Sequence, residues 1–362
     1  MKAALLGIAT HFPQRRLTNE QLSAELGGDW TPQKIFAKTG IRNRFVVGEG
    51  ECASDLAVAA CQKLFNSGIS TAEEIDFLLF CTQSPDYYLP ATACTLQQRL
   101  GLPTSCGSLD FNQGCSGFVY GLALAKGLVE SGSARKVLLV TAETYSKFLN
   151  PRDRSVRTIF GDGAAATLVT AVPDGAGMVG PFVLGTDGRG ARSLVVPAGG
   201  MRRPSSSETA LEEQDASGNW RSEDNLYMDG PAIFTFTLAA VPPAVARLLT
   251  LASLSLDQVD YFVFHQASRF MLDHLRAKLK IPPPRFAFFI EQYGNTVSST
   301  IPIALDQARA LGAISPGARV MLVGFGVGLS WAATVVTVPD CPYWRHHERA
   351  GGGVGLLDRG AT

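Results

Sequence analysis

The chain of 362 residues repeats one pattern of hydrophobic segments in its two halves. Residues 74–83 read EIDFLLFCTQ and residues 258–266 read QVDYFVFHQ, so each segment is an apolar run that leads into polar side chains. Two further pairs follow in the same order: KVLLV (136–140) with RVMLV (319–323), and AATLVTAVP (165–173) with AATVVTVP (332–339). Three ordered matches predict two similar halves, residues 1–172 and 173–339.

Within each half, short apolar runs alternate with longer segments of helical periodicity. Runs rich in Val, Ile, Leu and Phe are typical of strands that are buried on both faces of a sheet. The segments 116–131 and 298–311 have the spacing of amphipathic or buried helices. These patterns predict an α/β protein in which sheets lie between layers of helices. The polar, Gly- and Ser-rich segment 198–225 is expected to be a partly mobile surface excursion, and 340–362 a peripheral tail.

Composition excludes several classes of function. The formal net charge is zero, which argues against a nucleic-acid-binding protein. We find no stretch of about 20 apolar residues and expect no membrane insertion. The apolar start of the chain is read as a buried first strand, not a signal peptide. The seven cysteines include no Cys-x-x-Cys pair, which indicates reduced thiols in a cytoplasmic protein and no metal site.

Cys115 is the candidate nucleophile. It lies in the segment DFNQGCSGF (110–118), where a strand is expected to end and a long helix to begin. Free N–H groups at a helix N-terminus favour a thiolate, the form that attacks thioesters. Taken alone, a cysteine is more often a small buried side chain, and we retain that interpretation for the other six.

Two side chains in the second half are candidate partners of Cys115. His265 follows an apolar strand at its carboxyl end, where α/β proteins place their ligands. Asn295 opens a helix after a small-residue turn, as Cys115 does in the first half. A core histidine and an ordinary N-cap are the alternatives. If the halves superpose, the three side chains converge at their junction, near Gly-rich turns that can offer N–H donors to an oxyanion.

Seven short segments together resemble the β-ketoacyl-acyl-carrier-protein synthase III family of the thiolase superfamily, over residues 1–339. They are KTGIR (38–42), the Cys115 turn, IFGDGA (159–164), YMDG (227–230), HQA (265–267), YGNT (293–296) and GFG (324–326). The resemblance implies a thiolase-like fold with alternating α/β/α/β/α layers. It also implies a cytoplasmic homodimer without a permanently bound cofactor. Tyr87–Leu89 would lie where the partner subunit helps to form the wall of the acyl pocket.

The resemblance also implies a two-step reaction and a role for each residue. Cys115 would take an acyl group from acyl-CoA, and a malonyl thioester on acyl carrier protein would then lose carbon dioxide and attack it. His265 and Asn295 would donate hydrogen bonds to the malonyl thioester oxygen. The backbone N–H groups of Cys115 and Val327 would hold the oxyanion. Phe325 would pack beside the catalytic pair, and Arg154 would lie near the nucleotide of coenzyme A.

Three positions depart from the family pattern around the coenzyme A site. Ser268 stands where the family often has asparagine, and Lys38 stands where it has arginine. Trp30 falls too early for the tryptophan that stacks on adenine, and Lys34 takes its place. The residues expected to bind substrate are Lys38, Arg154, Ser268 and Phe325.

The segment after His265 carries a row of basic residues. Arg269, Arg276 and Lys278 either form a solvated face or dock an acidic acyl carrier protein.

Three functions are compatible with the sequence. A decarboxylative condensing enzyme is favoured. The alternative is an acyltransferase on the same scaffold that moves the acyl group from Cys115 to an alcohol or amine in a specialised or polysaccharide pathway. A non-catalytic subunit of a hetero-oligomer is disfavoured by the intact Cys, His and Asn set.

Overall fold

The computed structural model describes residues 1–174 and 177–345. Its strands, in chain order, are β1 Lys2–His11, β2 Arg15–Thr18, β3 Asn43–Val46, β4 Phe77–Cys81, β5 Gly107–Phe111, β6 Lys136–Glu143, β7 Gly163–Val172, β8 Met178–Thr186, β9 Leu194–Val195, β10 Glu213–Gln214, β11 Trp220–Arg221, β12 Tyr227–Met228, β13 Tyr261–Phe264, β14 Arg319–Gly326 and β15 Ser330–Thr337. Its α-helices are α1 Asn19–Leu26, α2 Pro32–Thr39, α3 Ala53–Asn66, α4 Thr92–Arg99, α5 Gly117–Glu130, α6 Arg154–Arg157, α7 Gly230–Ala252, α8 Arg269–Lys278, α9 Ile290–Tyr293 and α10 Thr300–Ala310.

The first half contains a five-stranded sheet in the order β1-β7-β6-β4-β5. β4 is parallel to both β5 and β6, whereas β7 is antiparallel to β6 and to β1. Seven of the eight residues of β6 are buried, as are five of the ten residues of β1. The continuous buried run in β6 is typical of a sheet covered on both faces.

The second sheet repeats this order as β13-β14-β15-β8. β13 is parallel to β14, and β15 is antiparallel to β14 and to β8, as in the first sheet. The counterpart of β5 is reduced to one parallel bridge between Phe262 and Phe286. The paired segments 74–83 and 258–266 contain β4 and β13, which occupy matching places in the two sheets. The predicted division at 172/173 falls between β7 and β8 and stays a prediction.

Helices form three layers around the two sheets. α5 and α10 contact strands of both sheets and so form the central layer. α3 covers the outer face of the first sheet, and α7 covers the outer face of the second. A single buried cluster spans the interior, with Leu79 and Phe118 from one half and Leu322 from the other. This arrangement confirms the α/β fold with alternating layers of helices and sheets.

Helix α7 is a long apolar segment of a kind that was not expected from the sequence. Over the part of the chain that is described, it alone is long and apolar enough to cross a membrane by length and composition, and a third of the relevant window is buried. Its buried side chains, which include Val241, Val245 and Leu248, pack against the second sheet. A helix that covers a sheet needs an apolar stripe of this kind, so the absence of membrane insertion stays a prediction.

The excursion 198–225 is tied to the body of the protein. It contains the two-residue strands β10 and β11, and Arg221 donates from Nε to the buried carboxylate of Asp153 at 2.9 Å. Of the tail 340–362, Trp344 is buried and its Nε1 donates to the carbonyl of Leu5 at 3.0 Å, so this part is anchored to β1. Residues 346–362 lie outside the described part.

Candidate active site

Cys115 is buried at the turn between β5 and α5. The helix starts at Gly117 after an N-cap at Ser116 whose side chain makes no capping bond. The N–H groups of Gly117 and Val119 donate to the carbonyls of Gly114 and Ser116. Burial raises the pKa of the Cys115 thiol to about 12. The backbone N–H groups of Val327 and Cys115 face the sulfur and have a smaller, opposite effect on this pKa. Desolvation therefore outweighs the helix N-terminus, and near pH 7 the cysteine is a thiol, not the thiolate that the sequence suggested.

The Gly324–Phe325–Gly326 run at the end of β14 packs directly against this turn. A Cβ atom at Gly326 would lie 2.7 Å from Sγ of Cys115, and one at Gly324 would lie 2.6 Å from Cα of Ser116. Only glycine allows β14 to approach the cysteine this closely. Because side chains alternate along a strand, Phe325 points to the opposite side of β14.

His265 follows β13 directly, as the sequence predicted. Its ring meets the ring of Phe325 edge to face, with a centroid distance of 5.5 Å. Nδ1 lies 2.6 Å from the hydroxyl oxygen of Thr300, the first residue of α10. Burial lowers the pKa of His265 to about 3, so the ring is neutral near pH 7.

Asn295 is held at the junction between the two halves. Its N–H donates to the carbonyl of Ile159 at 3.0 Å, and its carbonyl accepts from the N–H of Gly161 at 3.0 Å. Its side-chain Oδ1 accepts from the N–H of Val297 at 2.9 Å. Because Oδ1 is occupied, the amide nitrogen is the group left to bind a ligand.

Cross-half hydrogen bonds hold these turns together. Ser116 and Ser330 share a hydrogen bond of 2.7 Å between their hydroxyls, and Thr141 and Ser299 share one of 2.9 Å. Phe325 contacts the ring of His265, and the next residue, Gly326, contacts the sulfur of Cys115. Thr300 links His265 to the turn that follows Asn295. In the described chain, residues 1–174 and 177–345, no group of three or more His, Cys, Asp or Glu side chains could hold a metal ion.

Two parts of the chain match family models of 3-oxoacyl-[acyl-carrier-protein] synthase III. Residues 109–188 match the model of that name, and residues 249–338 match the model of its C-terminal part. These ranges contain Cys115 and both candidate partners.

Full-length relatives agree with these matches. The chain is 39% identical over 338 residues to β-ketoacyl-[acyl-carrier-protein] synthase III 3 of Streptomyces coelicolor, covering 93% of this chain and 97% of the relative. It is 35% identical over 334 residues to β-ketoacyl-[acyl-carrier-protein] synthase III of Caldanaerobacter subterraneus, covering 92% and 97%. The chain belongs to the β-ketoacyl-acyl-carrier-protein synthase III family.

Solved structures of this family show the same fold. A 3-oxoacyl-(acyl-carrier-protein) synthase III crystal structure is 55% identical, with a TM-score of 0.92, and the match covers 93% of this chain and all of that one. The priming β-ketosynthase of the R1128 polyketide pathway is 30% identical, with a TM-score of 0.82 and coverage of 94% and 97%. The predicted family, thiolase-type fold and condensing acyltransferase class are thereby confirmed.

In this synthase III, a cavity of about 1030 Å³ opens beside the loop of Val327. Its apolar wall includes Phe148, Leu194, Val195, Val196 and Leu226. Near Cys115 the wall is polar, because the hydroxyl of Tyr145 donates to Oε1 of Gln83 and Nε2 of Gln83 donates to Asn112. Sequence reasoning missed Gln83 and Tyr145, since nothing in their spacing distinguishes them from structural residues.

Glu143 is a second residue that the sequence did not reveal. It ends β6 and is fully buried, where its carboxyl accepts hydrogen bonds from Gln83 N–H, Ser84 Oγ and Ser298 Oγ. Burial raises the pKa of this carboxyl to about 8, although the three hydrogen bonds lower it. The hydrogen bonds from Ser84 and Ser298 place it between the two halves, beneath the Cys115 turn.

The expected coenzyme A residues gather around Trp30. Nζ of Lys38 lies 5.0 Å from the centre of the indole ring, and Nζ of Lys34 lies 5.6 Å from it. Arg154 opens α6, close enough to Asp29 to lower the pKa of that carboxyl together with Lys34, whose hydrogen bond has the larger effect. Trp30, which seemed misplaced in the sequence, is thus adjacent to both lysines. Ser268 caps α8, since its hydroxyl accepts from the N–H of Met271 at 3.2 Å.

The three expected docking cations differ in their surroundings. Arg269 is half-exposed, pairs with Asp273 at 3.1 Å and lies over the ring of Phe288. Arg276 is turned inward and donates to the carbonyl of Ile281 at 3.2 Å, and Lys278 donates to the carbonyl of Leu238 at 3.0 Å. Of the three, Arg269 alone makes its hydrogen bond to a side chain, that of Asp273.

Proposed function

We propose that this protein transfers an acyl group from acyl-CoA to Cys115 and condenses it with a malonyl thioester on acyl carrier protein, releasing carbon dioxide and a 3-oxoacyl product. One observation carries the proposal. The sulfur of Cys115 faces two backbone N–H donors in the same buried site as a neutral His265 and an Asn295 amide whose nitrogen is free to donate.

In the first step, the sulfur of Cys115 attacks the thioester carbonyl of the donor. The negative charge that develops on the carbonyl oxygen is stabilised by the N–H groups of Cys115 and Val327. The bond to the sulfur of coenzyme A then breaks, and the proton of the Cys115 thiol ends on the departing coenzyme A. No permanently bound cofactor takes part in this transfer.

In the second step, the bond between the malonyl carboxylate and its α-carbon breaks, and carbon dioxide leaves. The electron pair forms an enolate whose oxygen accepts hydrogen bonds from His265 and from the amide nitrogen of Asn295. The α-carbon attacks the acyl group on Cys115, the bond from that acyl carbon to sulfur breaks, and the sulfur regains a proton.

Three surfaces of the protein suit the binding of an acyl chain, of coenzyme A and of a second subunit. The 1030 Å³ cavity has the size and apolar wall of a pocket for an acyl chain. The cations around Trp30 suit the phosphates and adenine of coenzyme A. β5 is an edge strand with Leu109 exposed, and Tyr87, Tyr88 and Leu89 are also exposed, so we assign this edge to a homodimer interface. Cytoplasmic localisation stays a prediction.

A two-part experiment tests the proposal. The purified protein is incubated with a panel of acyl-CoAs, and the mass of the peptide bearing Cys115 is measured; the acyl mass should appear there and be absent in Cys115→Ala. Malonyl-acyl-carrier protein is then added, and carbon dioxide and the 3-oxoacyl product should appear together. Transfer to an alcohol or amine without carbon dioxide release would instead identify the alternative acyltransferase.

A further inference from the structure

The turn that follows Asn295 has an unusual backbone at Val297. This β-branched, fully buried residue has a φ of +54°, which L-residues with branched side chains adopt at a cost. The conformation directs the N–H of Val297 to Oδ1 of Asn295. The strained residue thus orients the Asn295 amide.

The same turn ends at Thr300, whose hydroxyl has two acceptors within reach. Oγ1 lies 2.6 Å from Nδ1 of His265 and 3.1 Å from the carbonyl oxygen of Val297. That carbonyl already accepts from the N–H of Thr300. Among the described residues, Thr300 is the only hydrogen-bond partner of Nδ1 of His265. If Nδ1 carries the ring hydrogen, the hydroxyl accepts from the ring and donates to the carbonyl; if Nδ1 carries none, the hydroxyl must donate to the ring.

The position of the ring hydrogen decides what His265 can do. The buried ring is neutral near pH 7, so it carries one hydrogen, on Nδ1 or on Nε2. With the hydrogen on Nδ1, Nε2 could only accept a hydrogen bond, and it could not stabilise an enolate oxygen. With the hydrogen on Nε2, Nδ1 needs a donor, and the hydroxyl of Thr300 lies at the right distance.

We propose that Thr300 is a positioning residue that donates its hydroxyl hydrogen to Nδ1 of His265 and so keeps the ring hydrogen on Nε2, toward the substrate. Together with the N–H of Val297 on Asn295, one turn then presents two donors to the malonyl thioester oxygen. The inference rests on the proposed condensation, but the tautomer of His265 can be measured without it.

The direct test is nitrogen-15 NMR of protein labelled at histidine, with the His265 signals assigned from His265→Gln. We expect a pyrrole-type Nε2 and a pyridine-type Nδ1 for His265. The exposed His274 is an internal reference for the opposite tautomer, because its Nδ1 lies 2.9 Å from the carbonyl oxygen of Phe270, which can only accept. A pyrrole-type Nδ1 at His265 would overturn the proposal, whether or not the protein condenses malonyl substrates.

Matched variants of Thr300 test the consequence for the reaction. Thr300→Val keeps the side-chain shape and removes the hydroxyl, and Thr300→Ser keeps the hydroxyl. We expect Thr300→Val to lower the rate of carbon dioxide release about tenfold, while acylation of Cys115 stays within about twofold. Thr300→Ser should restore the rate and the wild-type tautomer. Equal losses in both half-reactions of Thr300→Val, or no loss in either, would contradict the assignment; a wild-type protein that releases no carbon dioxide would refute the condensation instead.

Discussion

Gly326 and Cys115 are in such close contact that a Cβ atom on the glycine would lie 2.7 Å from the cysteine sulfur. This contact joins the end of a strand in the second half to the nucleophile in the first half. It also places the next residue, Val327, where its N–H faces the sulfur. The oxyanion site thus depends on a residue that has no side chain.

Gly326→Ala should therefore displace the sulfur or the strand. Because a shift of about 1 Å at a reacting atom can lower a rate about 100-fold, we expect a loss of that order in Cys115 acylation. The measurement is the rate of adduct formation on the Cys115 peptide. Gly188→Ala is the matched control, since a Cβ there meets nothing within 4 Å and its rate should equal that of the wild type.

The reactivity of the Cys115 thiol should depend steeply on pH. Since the pKa of Cys115 is raised to about 12, its thiolate fraction increases about tenfold for each unit of pH below that value. Alkylation of Cys115 by iodoacetamide, followed by peptide mass spectrometry, should rise in the same way from about pH 6 to pH 9. A plateau within this range would mean that the helix N-terminus outweighs burial.

The acyl cavity can be tested by filling it. Val196 lines the cavity and is partly buried, so Val196→Trp should occupy space that a long acyl chain needs. We expect the loading of long acyl groups to fall at least about tenfold, because overpacking costs roughly 1–3 kcal/mol. Loading of acetyl groups on the same variant serves as the control and should be unchanged. Equal loss for both donors would place the acyl chain elsewhere.

The cations around Trp30 should matter only for donors that carry the coenzyme A nucleotide. Combined Lys38→Glu and Arg154→Glu substitutions should raise KM for acyl-CoA about tenfold or more, since a hydrogen bond to a charged group contributes about 1.5–3 kcal/mol. An acyl-N-acetylcysteamine thioester lacks the phosphates, and its KM should not change. Combined Arg135→Glu and Arg247→Glu substitutions, at two exposed positions, change the net charge by the same amount and are the control.

Arg269 is expected to contribute to carrier binding. Arg269→Glu should weaken the binding of acyl carrier protein and reduce its association rate, with a smaller effect at high salt. Titration at two salt concentrations measures both effects. Lys278→Glu should have less effect, because Lys278 is bound to the carbonyl of Leu238. Unchanged affinity in Arg269→Glu would leave α8 as a solvated face.

Some of this site could be read from local sequence alone. A cysteine before a long apolar helix, a histidine at the end of an apolar strand and an asparagine in a small-residue turn are each visible within about ten residues. The repeated order of apolar segments indicated two sheets of similar topology, because buried strands must be apolar wherever they lie in the chain. The family motifs then identified the chemistry.

Other features depend on contacts between distant segments. The pKa values of Cys115 and His265 follow from burial, which no local pattern reports. The role of Thr300 follows from a contact with a ring 35 residues earlier in the chain.

The sequence by itself determined which side chains have functional groups able to react and the order of strands and helices that carries them, because side-chain chemistry and hydrophobic pattern are local properties. Only the tertiary structure decided that Cys115 rests as a thiol and that Gly326, Val297 and Thr300 serve the site. Desolvation, close packing and hydrogen-bond direction are set by neighbours in space, and those neighbours come from both halves of the chain.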